Sequence, residues 1–598
     1  MLYPKITLSR IVYDLSGIWN FRESNSYEVN IDFCIKKITD AYPIYVPSSY
    51  NDLRSDKNLR YHNGLVYYQK EFYIPEFFKD KRIVLRFEAV NNSSIVYLNG
   101  SLLRENKGGF LPFEVEIHEY INYGKSNLLT VVVSNDINYS TLPVGDESGY
   151  GLINIGDLPL DVEKRRNVPN FDFFNYAGII RPVKIYTTPK EYIKDITIVP
   201  HIISEDSSLI EYDVEIEGDG EIILEVYSEE GDLIGKSTGR TGEILIKNPH
   251  LWEPGNPYLY TAKIIFKEDI YEETFGIRTI EVSGEQFLIN GKPFYFKGFG
   301  RHEDSIYRGR GLDEAVNLKD ISLLKWIGAN SIRTSHYPYS EEMLYLCDRE
   351  GIVVIAEAPA VGLNLNIKQH NEKVDTYSVL KTYDHHKEVL KNMIKRDKNH
   401  PCIVMWCIAN EPDTTSFPNS AYNYFKPLYD LVHNYDPQKR PVTITSILGG
   451  DITKDKIIKE MDVISLNRYY GWYIASGDLD KAKKLLEKEL EYWAKFGKPV
   501  LITEFGADTI IGLHSIPPVM FSEEYQIEVL KANQEIFDKY RFIIGEHVWT
   551  FADFQTEENL IRIDGNKKGV FTRDRRPKMS AYYLKKRWES IPNFNYKK

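Results

Sequence analysis

Cys402-Ile403-Val404-Met405-Trp406-Cys407-Ile408-Ala409-Asn410-Glu411-Pro412 is the stretch on which the reading of this chain turns: seven apolar residues and an alanine run directly into an amide, a carboxyl group and a proline. A continuous apolar run of that length predicts a strand buried on both faces, as in a parallel sheet, and the proline ends its ladder. Glu411 then sits at the strand's C-terminal mouth, where α/β sheets place their chemistry. A structural ion pair with a neighbouring Arg or Lys is the plain alternative for a lone Asn-Glu-Pro.

Pro499-Val500-Leu501-Ile502-Thr503-Glu504-Phe505-Gly506 has the same layout, a short apolar strand, a Glu and a glycine turn. Two carboxyl groups at two strand ends of one sheet suit glycoside hydrolysis, one to protonate the leaving oxygen and one to meet the developing oxocarbenium ion.

The chain has 598 residues, 42% of them hydrophobic, and a formal net charge of −12. At roughly 100–200 residues per domain it should hold about three or four domains. The negative balance argues against a general nucleic-acid binder, and it means that an anionic substrate needs a local cationic pocket. Cys34, Cys347, Cys402 and Cys407 show no Cys-x-x-Cys spacing. They read as small buried hydrophobes in a reducing compartment. Met1-Leu2-Tyr3-Pro4-Lys5-Ile6-Thr7 has no apolar stretch long enough for a signal peptide, and no uncharged apolar run of membrane-spanning length follows. A soluble, cytoplasmic protein with no membrane partner is expected. The 43 Tyr suit sugar faces and rims, although sandwich edges collect Tyr too.

From residue 1 to 185, short β-branched or alternating runs recur between turns, among them Arg82-Ile83-Val84-Leu85-Arg86-Phe87 and Leu128-Leu129-Thr130-Val131-Val132-Val133. Asn99-Gly100 is a strong hairpin turn. A jelly-roll β-sandwich is the expectation, followed over 186–278 by an immunoglobulin-like β-sandwich. From 279 to 598 strands alternate with amphipathic stretches such as 313–327, 378–396 and 479–496. Candidate strands at 295–300, 330–335, 352–358, 402–410, 441–446, 462–467, 499–505 and 542–549 predict a (β/α)₈ barrel. On that count Glu411 ends strand four and Glu504 ends strand seven. The polar connection from Gly362 to about Thr376 is a candidate active-site loop.

A barrel with Asn-Glu after strand four and Glu after strand seven, behind two β-sandwiches, resembles the family 2 glycoside hydrolases. Asn175-Tyr176-Ala177-Gly178-Ile179, Arg333-Thr334-Ser335-His336-Tyr337-Pro338-Tyr339, Asn467-Arg468-Tyr469-Tyr470-Gly471-Trp472-Tyr473 and Gly565-Asn566-Lys567-Lys568-Gly569-Val570-Phe571-Thr572-Arg573-Asp574 narrow the resemblance to the bacterial β-glucuronidases over nearly the whole chain. The resemblance implies Glu411 as general acid/base and Glu504 as nucleophile of a retaining, exo-acting β-D-glucuronidase, with Arg333 and Tyr469 bonded to Glu504 and Asn410 on the sugar 2-hydroxyl. It puts the uronic acid carboxylate on Asn566 and Lys568, with Tyr473 and Arg562 as further contacts at that end and Trp549 as a platform beneath the ring. Asp172, reaching in from the first domain, and Asn467 are expected at the sugar as well. His302 and His336 fall in matching motifs, each either contacting substrate or orienting its neighbours; neither belongs to a metal-ligand pattern, and no cofactor is expected. The implied partner is a small-molecule or oligosaccharide glucuronide, and the implied assembly a homo-oligomer, a tetramer by resemblance.

Two departures from the family pattern stand out. Phe505 occupies a position where relatives often carry Tyr, so one hydroxyl beside the nucleophile is missing, and the connection after Leu365 is several residues shorter than a long lid-like loop. A galactosidase, a mannosidase or a galacturonide hydrolase of the same family shares both carboxyl groups, and a non-catalytic glycan binder is the alternative from another class.

Overall fold

The computed structural model describes residues 1–147, 167–366 and 373–597. Its first unit is an antiparallel sandwich. One sheet orders strands Val12–Asp14, Val183–Thr188, Arg82–Phe87 and Phe113–Glu116, and the other orders Tyr42–Val46, Gly17–Glu23, Leu65–Tyr73, Ser126–Ser134, Ser93–Leu98 and Ser101–Lys107. Trp19, Phe21, Tyr68, Leu85, Phe87, Val96 and Val131 fill the space between them. Asn99 and Gly100 both take positive φ, 52° and 84°, which a two-residue hairpin turn between right-twisted strands requires. Two helices, Ile31–Ile35 and Lys57–Arg60, are too short to leave a periodic signal in the sequence.

A seven-stranded sandwich follows, three strands (Tyr192–Ser204, Ser207–Glu217, Thr241–Lys247) facing four (Leu233–Thr238, Ile222–Tyr227, Tyr260–Phe266, Asp269–Phe275). Alternate residues such as Ile210, Tyr212 and Val214 point into its core, as period-two patterning dictates. A small three-stranded sheet, Ile280–Ser283, Gln286–Ile289 and Lys292–Pro293, contributes Phe287 and Ile289 to the core of the third unit.

That unit is a closed, all-parallel barrel of eight strands: Phe296–Arg301, Ser331–Thr334, Val353–Glu357, Ile403–Asn410, Val442–Ser446, Ile464–Asn467, Val500–Glu504 and Ile543–Val548. Each falls within its expected range or a residue beyond it. The eighth strand closes on the first with Phe296 opposite Gly545. All eight residues of strand four are buried, as its uninterrupted apolar run requires. Helix Glu314–Ile327 begins on an Asp313 cap and ends on Gly328 at φ 79°, the left-handed stop that glycine supplies without strain. The helical stretch expected from 378 is shorter: Leu380 is extended, and it separates a single turn at Thr376–Val379 from the helix Tyr383–Asp397. Of the connection expected to form a loop after strand three, residues 367–372 lie outside the described residues. No described helix is long and apolar enough to cross a membrane.

The first sandwich packs directly on the barrel mouth. Val144 N donates to Val361 O at 3.0 Å, Asn170 Nδ2 donates to Gly362 O at 2.7 Å, and Arg310 Nη2 of the barrel donates to Phe174 O at 3.0 Å.

Candidate active site

Local backbone irregularity turns Glu411 into the mouth. Strand four slips register against strand five between Cys407 and Asn410, and Glu411 itself sits at φ 51°, a left-handed conformation that a residue with a Cβ adopts only at some cost. Its N–H donates to Thr445 O at 2.8 Å, so the strained residue is anchored to the neighbouring strand.

Glu411 and Glu504 line one cavity of about 420 Å³, together with Asp172, His336, Asn410, Tyr469, Tyr473, Trp549, Arg562, Asn566 and Lys568. Eleven of the sequence-derived site residues thus meet at one wall surface. Arg333, His302 and Asn467 stand behind it. Asn467 Nδ2 donates to Glu411 Oε1 at 2.9 Å while its own Oδ1 accepts from Thr503 Oγ1 at 2.8 Å, so its amide is occupied by protein partners at both ends. His302 is buried among Phe554, Trp549 and His336, with Nδ1 3.1 Å from Tyr337 Oη.

The two carboxyl groups have unlike surroundings. Burial first, and the Glu504 charge second, push the Glu411 carboxyl up to about 8. Glu504 accepts from Arg333 Nη2 on Oε1 and from Tyr469 Oη on Oε2, each at 2.5 Å. Burial and then the Glu504 charge raise Tyr469 well above the ordinary phenol range, which keeps it a donor. For Arg333 burial opposes the charge, but Glu357 and Glu504 together outweigh it and raise the guanidinium. One group is thus suited to giving a proton and the other to presenting a pair of electrons.

Glu357, at the end of strand three, was not singled out from the sequence. Fully buried, it bonds Arg333 Nη1, and its Oε1 lies 2.6 Å from His336 Nδ1. The imidazole of His336 stacks on Trp549 at 5.1 Å with Nε2 3.9 Å from Glu504 Oε1. A carboxyl group at the mouth of a third apolar strand, Val353-Val354-Ile355-Ala356-Glu357, was the available signal. Phe505 points the other way from the cavity: its buried ring meets Phe537 edge-on at 5.1 Å, so the hydroxyl it lacks bears on the outer core of the barrel.

A corner built on two paired cations occupies another part of the same cavity. The Lys568 ammonium is 1% exposed; it contacts Asp508 and donates to Tyr473 Oη at 2.8 Å. Arg562 bonds Asp172 through Nε and Nη2, Tyr473 Oη at 2.9 Å and Asp508 Oδ2 at 3.3 Å. Asn566 Nδ2 donates to Asp172 Oδ2 at 3.1 Å, and its Oδ1 accepts from Lys568 N at 3.0 Å, which fixes the amide's orientation. An ammonium has three N–H bonds and an amide two. Among the described residues, two of the first and one of the second are committed to protein partners. One donor from each, with the Tyr473 hydroxyl, is therefore available to a carboxylate.

Among the described residues one set of side chains comes within metal-ligand reach, Asp348, His400 and Cys402, all buried. Cys402 precedes strand four, so the set lies at the opposite end of the barrel from Glu411. Asp348 accepts there from Cys402 N at 2.9 Å and pairs with His400 Nδ1 at 2.5 Å, which ties a helix to the barrel floor. All four cysteines are free and buried.

Residues 280–593 match the family model of the glycosyl hydrolases family 2 TIM barrel domain, 7–189 that of the family 2 sugar binding domain, and 184–278 a further glycosyl hydrolases family 2 model. A β-glucuronidase of Paenibacillus borealis is 45% identical, with 99% of each chain covered, and one of Streptococcus agalactiae is 42% identical over 100% of this chain and 99% of its own. Bifidobacterium dentium β-glucuronidase, solved in complex with coumarin-3-O-glucuronide, superposes with a TM-score of 0.96 at 45% identity over 100% of both chains. For Faecalibacterium prausnitzii β-glucuronidase the TM-score is 0.95 at 45% identity, over 99% of this chain and 100% of that one.

Proposed function

From the premise that this chain belongs to glycosyl hydrolase family 2, we propose that it is a retaining, exo-acting β-D-glucuronidase. The observation that carries the reading is the presence, in one cavity, of a carboxylic acid pushed up to about 8 beside a second carboxylate, with the buried Lys568 ammonium and the oriented Asn566 amide. A glucoside offers those two donors only a hydroxyl; a glucuronide offers a carboxylate and two charge-assisted bonds.

In this reading the uronate accepts from Lys568, Asn566 and Tyr473 while the ring lies over Trp549. Glu411 gives its proton to the glycosidic oxygen as Glu504 attacks C1, so the C1–O bond breaks, the aglycone leaves neutral and a glycosyl ester forms. Glu411, now a carboxylate, takes a proton from water. The resulting nucleophile displaces Glu504 from C1, and two inversions leave the β configuration intact. Arg333 and Tyr469 receive the negative charge that returns to Glu504 in the second step. Asn410, 3% exposed and next to the acid, is suited to the 2-hydroxyl.

Glu504→Ala should abolish turnover of 4-nitrophenyl β-D-glucuronide, and azide should restore cleavage with formation of the α-glucuronyl azide. Undiminished activity in the variant would end the assignment. Wild-type preference for a galactoside, mannoside or galacturonide over the glucuronide would move it to another member of the family. The reading extends to a cytoplasmic homotetramer, supported by the family resemblance; a monomer in light scattering would remove the assembly from it.

A further inference from the structure

Asp508 lies four residues beyond Glu504, on the same segment. It is 2% exposed, and all its partners belong to the corner that faces the C6 end of the sugar. Oδ1 accepts from Lys567 N at 2.9 Å; Oδ2 contacts the Lys568 ammonium and accepts from Arg562 Nη1 at 3.3 Å. Thr509 N donates to Lys567 O at 2.9 Å, so backbone bonds join the same two segments. Gly506, at φ 155°, makes the turn possible, since a Cβ there would meet Trp549 O at 2.5 Å.

Resting on the reading of the site as a glucuronidase, we propose that Asp508 is a positioning and specificity-determining residue: its carboxylate aims the Lys568 ammonium at the substrate's C6 carboxylate and locks the uronate-reading loop to the segment that carries the nucleophile.

A lysine side chain is a flexible four-carbon stem, and an ammonium held by Tyr473 alone could rotate its charge away. Asp508 and Tyr473 fix two of its three N–H bonds, which determines where the third points. Burial opposes ionisation of Asp508, but Lys568 and Arg562 outweigh it and hold the carboxyl below its usual range. The corner therefore contains two cations, Lys568 and Arg562, and two carboxylates, Asp508 and Asp172. An arrangement that only attracted anions would omit the second pair; with it, affinity for the uronate depends on geometry rather than on surplus charge.

The opposite possibility is that Asp508 competes with the substrate for Lys568, and the two make opposite predictions. Asp508→Asn keeps the shape and the acceptor for Lys567 N but removes the charge. If Asp508 positions Lys568, kcat/KM on 4-nitrophenyl β-D-glucuronide falls by about 30-fold or more, chiefly in KM, and Asp508→Glu recovers part of it. In a Lys568→Ala background the same substitution then costs less than about threefold further, because its effect passes through Lys568. An unchanged or improved KM in Asp508→Asn overturns the proposal, and so does a full additive loss in the double variant, which would mark a general structural role. Absence of glucuronide turnover in the wild type would instead count against the functional reading itself.

Discussion

Replacing Glu411 by glutamine tests the division of labour between the two carboxyl groups. Burial and the nearby Glu504 push the Glu411 carboxyl from an ordinary 4.5 up to about 8. At pH 7 a group at about 8 is protonated in about nine molecules of ten; one at 4.5 would be protonated in about three of a thousand, so the site raises the fraction of competent acid by about 300-fold. The assay is kcat/KM against pH for phenyl β-D-glucuronide, whose leaving group needs a proton. Since the acid form is the active one, the rate should fall as pH rises through about 8. In Glu411→Gln that alkaline limb should disappear, with the rate at pH 7 lower by about 10²–10⁴-fold. With 2,4-dinitrophenyl β-D-glucuronide, which departs without protonation, kcat/KM should change little. A wild-type limb centred at pH 4–5, or one that survives in Glu411→Gln, would refute the assignment of the acid.

The same variant bears on stability: between about pH 4.5 and 8 the folded chain binds more protons at Glu411 than the unfolded chain, so wild-type stability falls as pH rises, and the Tm advantage of Glu411→Gln should widen across that window. A constant gap would argue against the raised acid. Lys568→Ala should lower glucuronide kcat/KM by about 2–5 kcal/mol, about 30- to several thousand-fold, and leave any glucoside activity unchanged; parallel losses on both substrates would contradict its role at C6. Arg333→Met strands two buried carboxylates, Glu357 and Glu504, and should destabilise folding by about 3–5 kcal/mol in urea unfolding; an unchanged midpoint would show that the pairs contribute nothing.

Much of the barrel was legible because a buried parallel strand has to be apolar on both faces. Cys402 to Ala409 and Pro499 to Thr503 announce themselves by composition, and the residue that follows each is at the mouth by construction. Lys568 and Asn566 were legible only through resemblance, since Asn566-Lys567-Lys568 has the composition of a solvated basic turn. Other residues depend on what the barrel brings together across long stretches of chain. Asp508 is 60 positions from Lys568, and no local pattern marks it as an ion-pair partner. Asn467 belongs to a motif that suggests sugar contact, but strand six buries it under Glu411. The direction of Phe505 follows from alternation along strand seven: with Glu504 facing the cavity, its neighbour faces the helices.

The bonds from Arg562 and Asn566 to Asp172 mean that, in the proposed reading, the barrel shares its substrate specificity with the first sandwich. One of the carboxylates that hold those two side chains comes from that sandwich, more than 300 residues away along the chain. A barrel grafted onto another N-terminal sandwich would keep its acid, its nucleophile and the Asp508–Lys568 pair, and lose one of the carboxylates that hold Arg562 and Asn566. Specificity in such an enzyme can drift through mutations at a domain seam while the reaction chemistry stays untouched.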